Sequence, residues 1–95
     1  MTKITISIPT PLRAYTDQQK KIILNDHTKV NSALNALIEE YPKLKNHLFE
    51  GEKLRNFVNI YLNDEDIRYL EEKEKTSLNC GDNLSIIPAL AGGIL

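Results

Sequence analysis

Two adjacent glycines, Gly92 and Gly93, stand in the stretch ALAGGIL that runs from Ala89 to Leu95 of a 95-residue chain. They are the positions best suited to chemistry. Glycine has no Cβ, so a reagent can approach its carbonyl carbon from either side. The residues ahead of them, Pro88, Ala89, Leu90 and Ala91, are uncharged and taper toward the diglycine. Such a peptide can thread extended into a narrow channel, and five residues from Ala89 reach about 17 Å. The residue types describe a substrate for chemistry performed by another protein.

The other candidates for chemistry lack the patterns that chemistry needs. There is no GxSxG, P-loop or GxGxxG, and the four glycines are Gly51, Gly81, Gly92 and Gly93. His27 and His47 flank the expected helix without a metal-ligand spacing, so both are expected to be loop or surface residues. A nucleophilic cysteine needs an electropositive setting, whereas Cys80 sits among Asn79, Gly81 and Asp82, which predicts an inert turn cysteine. Asp64, Glu65 and Asp66 lack the twelve-residue calcium-loop pattern and read as a solvated turn. The chain is therefore not expected to be an enzyme, to ligate a metal or to hold a bound cofactor.

Composition narrows the partners. With 12 basic and 13 acidic residues the net charge is -1, so no cationic excess exists to neutralise a phosphate backbone, and nucleic acid is not an expected partner. The apolar runs are too short to span a bilayer, and MTKITISIPT lacks the features of a signal peptide. A single cysteine excludes an internal disulfide framework, and a cytoplasmic setting is the expectation.

The elements that must position the tail follow from periodicity. Lys3 to Ile8 alternates, with Ile4, Ile6 and Ile8 on one face, and predicts a half-buried strand ended by Pro9 and Pro11. Lys20 to Asn25 predicts a second strand in a long-looped hairpin with the first. Asn31 is the expected N-cap of a helix whose stripe is Leu34, Leu37, Ile38 and Tyr41, with Pro42 ending it. A short second turn or helix is expected in PKLKNHLF. Asn56 to Asn63 alternates again, Val58, Ile60 and Leu62 against Phe57, Asn59 and Tyr61. A turn over residues 63–66 precedes a short strand around Ile67 to Leu70, then a solvated charge run, EEKEK. A turn at residues 79–82 leads to a last strand, Leu84 to Pro88. One helix must cover one face of a small mixed sheet, which is an α+β fold of two layers. The helix stripe and the Val58 face are expected to bury each other, leaving Phe57 and Tyr61 for a partner, beside Pro88 at the tail root.

The whole chain resembles the ubiquitin-like β-grasp sulfur carriers: small subunits of molybdopterin synthase, thiamine sulfur carriers and cysteine-biosynthesis sulfur carriers. The resemblance is carried by FVNIYLNDEDIRYL, Phe57 to Leu70, and by NCGDNLSIIPALAGG, Asn79 to Gly93. The segment Asn63 to Arg68 is most similar to the cysteine-biosynthesis type. The resemblance implies a β-grasp domain over residues 1–88 and a flexible tail over 89–95. It implies that a ubiquitin-activating-type enzyme adenylates Gly93 with ATP, that sulfur displaces AMP to leave a thiocarboxylate, and that a partner synthase accepts that sulfur for cysteine or homocysteine-type biosynthesis. The chain departs from the family pattern in carrying Ile94 and Leu95 after the diglycine, which places residue 95 about 7 Å beyond the reactive carbon. A processing protease, a zinc metalloprotease of the deubiquitinase-like kind, would have to cut after Gly93. Three other readings stay open: the small subunit of molybdopterin synthase, a ubiquitin-like protein modifier, and an interaction domain in which Ile94 and Leu95 pack.

Overall fold

Ile4 and Ile6 point inward from β1 (Lys3–Ser7), and Ile8 follows them just past its end; all three are buried. The computed structural model describes residues 3–25, 29–51 and 53–88. β1 pairs antiparallel with β2 (Lys21–Asn25), setting Ile4 opposite Leu24 and Ile6 opposite Ile22. The expected hairpin is present. Its long connection is folded rather than loose: Thr10–Tyr15 form a 3-10 helix. The buried Thr16 hydroxyl lies within hydrogen-bond distance of the Arg13 and Gln19 carbonyls, at 3.3 and 3.1 Å.

Helix α1 (Val30–Glu40) buries Val30, Ala33, Leu34 and Leu37. It begins one residue before Asn31, so Asn31 is not its N-cap. The reason is tertiary. The Val30 N–H donates to the Thr76 carbonyl at 3.1 Å, and Lys29 bridges Ser77, so a distant segment satisfies the first turn in place of a capping side chain. The helix ends before Pro42 as expected, with a short 3-10 turn (Pro42–Leu44) and α2 (Lys45–Leu48) following. Two strands of two residues, β3 (Phe49–Glu50) and β4 (Lys53–Leu54), then form a small separate hairpin turned at Gly51. Gly51 has φ +68°, a conformation that favours glycine.

β5 (Val58–Leu62) and β7 (Asn83–Pro88) pair antiparallel over five residues, and β7 pairs parallel with β1. With β6 (Glu65–Asp66), the five-stranded order is β2-β1-β7-β5-β6. The inner faces of these strands and α1 share one core that includes Leu37, Val58, Ile60, Leu84 and Ile86. The expected α+β fold with one main helix covering a mixed sheet is the one observed.

The strand expected around Ile67 to Leu70 is not formed. β6 is only Glu65–Asp66, and Ile67–Tyr69 make a single 3-10 turn. The Asp66 side chain accepts from the Arg68 N–H at 2.9 Å, which bends the chain out of the sheet. The Arg68 guanidinium then donates to the carbonyls of Asn56 and Val58, each at 2.8 Å. A side chain thus satisfies the first carbonyl of β5 and one just ahead of the strand, where β6 is too short to reach.

Two substitutions separate these roles. Leu37→Ala is expected to cost about 2–5 kcal/mol by opening the core. Arg68→Met should cost about 1 kcal/mol, because the two carbonyls it leaves stay near water. Urea denaturation followed by circular dichroism measures both, and equal losses would contradict this division.

Candidate functional site

Pro88 is the last described residue of the chain and the root from which the diglycine segment departs. Ala89, Leu90, Ala91, Gly92, Gly93, Ile94 and Leu95, the expected threading, activation and processing residues, lie outside the described residues, as does His27. The described residues form the platform at the root of that segment.

The start of β7 is fixed by a polar clamp. Asp82 accepts from the Asn79 N–H at 2.8 Å with one carboxylate oxygen and from the Asn63 side-chain amide at 3.3 Å with the other. Asn63 in turn accepts from the Asn83 N–H at 3.1 Å, and its own N–H donates to the Asn83 carbonyl at 2.7 Å. Gly81, at φ +93°, donates to the Lys3 carbonyl at 2.7 Å. Asn63 belongs to the turn after β5 and Asp82 to the turn before β7. The two stretches that carry the resemblance are therefore bonded to each other.

The end of β7 lies opposite the start of β5, with Pro88 in register with Val58 and Ile87 with Asn59. The Asn63–Asn83 bond fixes which residues of this pair exchange hydrogen bonds, and it turns the even-numbered backbone of β7 toward β1. The Thr5 N–H accordingly donates to the Asp82 carbonyl at 3.1 Å. β1 has ended by Ser85, its last partner's position, so the donor that Pro88 lacks is not missed.

Around this root lie apolar groups on the uncovered side. Ile87 is 45% exposed and Phe57 41%. Tyr61 is half-buried, opposite Ser85 and diagonal to Ile87 on the outer face of the sheet. Phe57 sits in the turn preceding β5 rather than in the strand, and the Arg55 guanidinium lies 6.0 Å from its ring centroid. Ile87 was missed by sequence reasoning although a signal existed: with Leu84 and Ile86 inward, alternation places residue 87 outward. Elsewhere the outer face carries a second exposed aliphatic group, Ile23 on β2 opposite Thr5, and polar side chains, with Ser7 donating to Asn83 at 3.2 Å and Asn83 to Ser85 at 3.0 Å.

The remaining candidates are scattered. Cys80 is exposed at the opposite end of β7 from Pro88, a strand length of about 17 Å away. The exposed His47 stacks on Tyr15, with ring centroids 4.3 Å apart. Asp64 and Glu65 are exposed, and Asp66 is engaged with the Arg68 N–H. Among the described residues no three of His, Cys, Asp and Glu come together in a way that could hold a metal ion, and no helix is long and apolar enough to cross a membrane. Burial, followed by the neighbouring Glu40 and Asp17 carboxylates, raises the Tyr41 hydroxyl above its ordinary 10, so it stays protonated at neutral pH.

Comparisons with known proteins agree with this platform. A family model described as the ThiS family matches residues 6–93. Sulfur carrier protein CysO of Mycobacterium tuberculosis is 38% identical over 93 residues, covering 95% of this chain and 98% of that one. Small archaeal modifier protein 3 of Haloferax volcanii is 31% identical over 70 residues, 74% of this chain and 75% of its own. Among solved structures, a chain of the Amycolatopsis orientalis BexX/CysO complex superposes with a TM-score of 0.83 at 36% identity, over 95% of this chain and 99% of that one.

The clamp predicts its own test. Asp82→Ala removes two acceptors at once and is expected to cost about 1–2 kcal/mol. The Asn79 amide should exchange faster with solvent and the start of β7 loosen, read by hydrogen exchange. Unchanged protection at both places would show that the clamp does not hold the strand.

Proposed function

The chain belongs to the ThiS family, and from that premise we propose that it is a sulfur carrier for cysteine or homocysteine-type amino-acid biosynthesis, with the carboxyl carbon of Gly93 as its working atom. The observation that carries this reading is the match to a sulfur carrier over 95% of the chain at 38% identity. The family match running as far as residue 93 supports the diglycine as part of the shared pattern.

The chemistry is as follows. A carboxylate with an ordinary pKa of about 3.3–3.7 is ionised at neutral pH and is a poor electrophile. In an adenylating partner the Gly93 carboxylate attacks the α-phosphate of ATP, forming an acyl-adenylate and releasing pyrophosphate. Sulfide, as HS⁻, then adds to the same carbon and AMP leaves, giving a thiocarboxylate with no change of oxidation state, whose sulfur a partner synthase accepts. Ala89, Leu90, Ala91 and Gly92 serve as the thread that reaches the partner's active site. Ile94 and Leu95 must first be removed by a processing protease, because the Gly93 carbonyl carbon is otherwise held in a peptide bond. Activation and transfer thus belong to the partners, ATP among their substrates, and the platform's part is to hold the tail root rigid.

Phe57, Tyr61 and Pro88, with Ile87 beside them, form the docking surface in this reading. The crystallised complex of a related CysO with a second protein, BexX, supports the existence of such a surface in this type of chain. A second reading is a ubiquitin-like modifier joined through Gly93 to lysines, favoured by the 31% identity to an archaeal modifier protein. It uses the same activated carbon and differs only in the acceptor.

Two measurements test the proposal. With an adenylating enzyme and ATP, protein ending at Gly93 should form the adenylate and then exchange one oxygen for sulfur by intact mass, while the chain ending at Leu95 should stay inert. Equal activation of both forms would remove the cap from the account. Tyr61→Asp should preserve the fold yet slow adenylation roughly tenfold, a loss of about 1.4 kcal/mol in partner binding; unchanged kinetics would remove Tyr61 from the docking surface.

A further inference from the structure

On the helix side of the sheet, away from the Tyr61–Ile87 face, α1, the β3–β4 hairpin and the segment 67–75 enclose a groove of about 690 Å³. Its floor is apolar, with the partly buried Ile38, Phe49 and Leu54 beside Leu34 and Ile60. Its rim is cationic. Among the described residues lining it are Lys45, Lys53, Arg68, Lys73 and Lys75 against one carboxylate, Glu74. Glu50, opposite Lys53 on the hairpin, and Glu71 and Glu72, just before Lys73, stand outside this lining, so the excess of cations belongs to the groove's inner edge.

We propose that this groove is a second protein-docking site, and that it takes a segment of a partner protein in which Asp or Glu flank aliphatic or aromatic residues. Two features set the chemistry of the occupant. The cations come from α2, β4, the 3-10 turn at Ile67–Tyr69 and the one at Lys73–Lys75, so they ring the floor instead of converging on a point. That arrangement suits several separated carboxylates carried on an apolar backbone segment. The single guanidinium, Arg68, donates one nitrogen to the Asn56 and Val58 carbonyls, so it cannot offer an unengaged fork to a phosphate, the geometry by which arginine grips phosphate bidentately. The groove volume lies in the range of sites that bury much of a ligand's surface. This site does not depend on the tail chemistry, and it lies on the layer opposite the outer sheet face, so the two surfaces can be occupied together.

The test uses the full chain as bait for a phage-displayed peptide library. Enriched peptides should carry Asp or Glu around Leu, Ile or Phe. In fluorescence polarisation their affinity should fall with added salt. The double variant Lys53→Glu/Lys73→Glu, both positions exposed, should weaken it roughly tenfold or more with an unchanged thermal melt. Binding should shift the amides of Asn35, Lys53 and Ile67 in a nitrogen-15 correlation spectrum and leave Thr5, Asn59 and Ser85 in place. Selection of neutral or basic peptides, equal affinity for the double variant, or shifts on the outer sheet face would overturn the proposal. So would inorganic phosphate or a short oligothymidine that displaces the peptide at matched ionic strength, since that would make the groove a phosphate site.

Discussion

The position of β7 between β1 and β5 is the constraint on which the other features rest. A strand paired on both sides has its direction, register and facing settled at once. Parallel to β1 and antiparallel to β5, β7 turns Leu84 and Ile86 toward α1 and leaves Ser85 and Ile87 on the outer face. The polar clamp at Asp82 sets where the strand begins. The end of β1 pairing and the proline at position 88 set where its ladder to β1 stops. That frame fixes the position of Pro88, the last described residue.

Much of this was legible in the sequence because burial and period coincide. Ile4, Ile6 and Ile8 alternate and are all buried, and Val58 and Ile60 do the same on β5. The helix stripe was readable at Leu34 and Leu37, and Pro42 marked its end. The misses share another cause: local signals were outvoted by distant ones. Asn31 has the chemistry of a cap, but Thr76 and Ser77 reach the first turn and the helix begins earlier. Ile67 looked like a strand residue, yet it is buried from a 3-10 turn because Asp66 and Arg68 redirect the backbone. The β3–β4 hairpin has two residues a side, too few to show any alternation. The platform under the candidate site was legible from Gly81, Asp82 and the strand that follows; the clamp from Asn63 was not, since nothing in the sequence says that residues 63 and 82 meet.

The two layers of the molecule also divide its surface chemistry. The outer sheet face carries hydroxyl and amide side chains bonded to each other, exposed Lys3 and Lys21, and apolar groups at Ile87 near Pro88 and at Ile23 on β2. On the helix side, five cations line the groove. A chain with a net charge of -1 thus carries two surfaces of different chemistry, the outer sheet face and the helix-side groove.

The central placement of β7 has a mechanical consequence. A segment drawn into a tight channel transmits any pull along its own axis to the strand it grows from. On a free edge that pull would peel hydrogen bonds one after another. Here β5 pairs with β7 over Leu84–Pro88 and β1 with Asn83–Ser85, so an axial tug loads the β5 ladder first and both ladders deeper in the strand, in shear, and forced unfolding must break them in concert. Load applied at Pro88 is thereby met in shear by the body of the sheet.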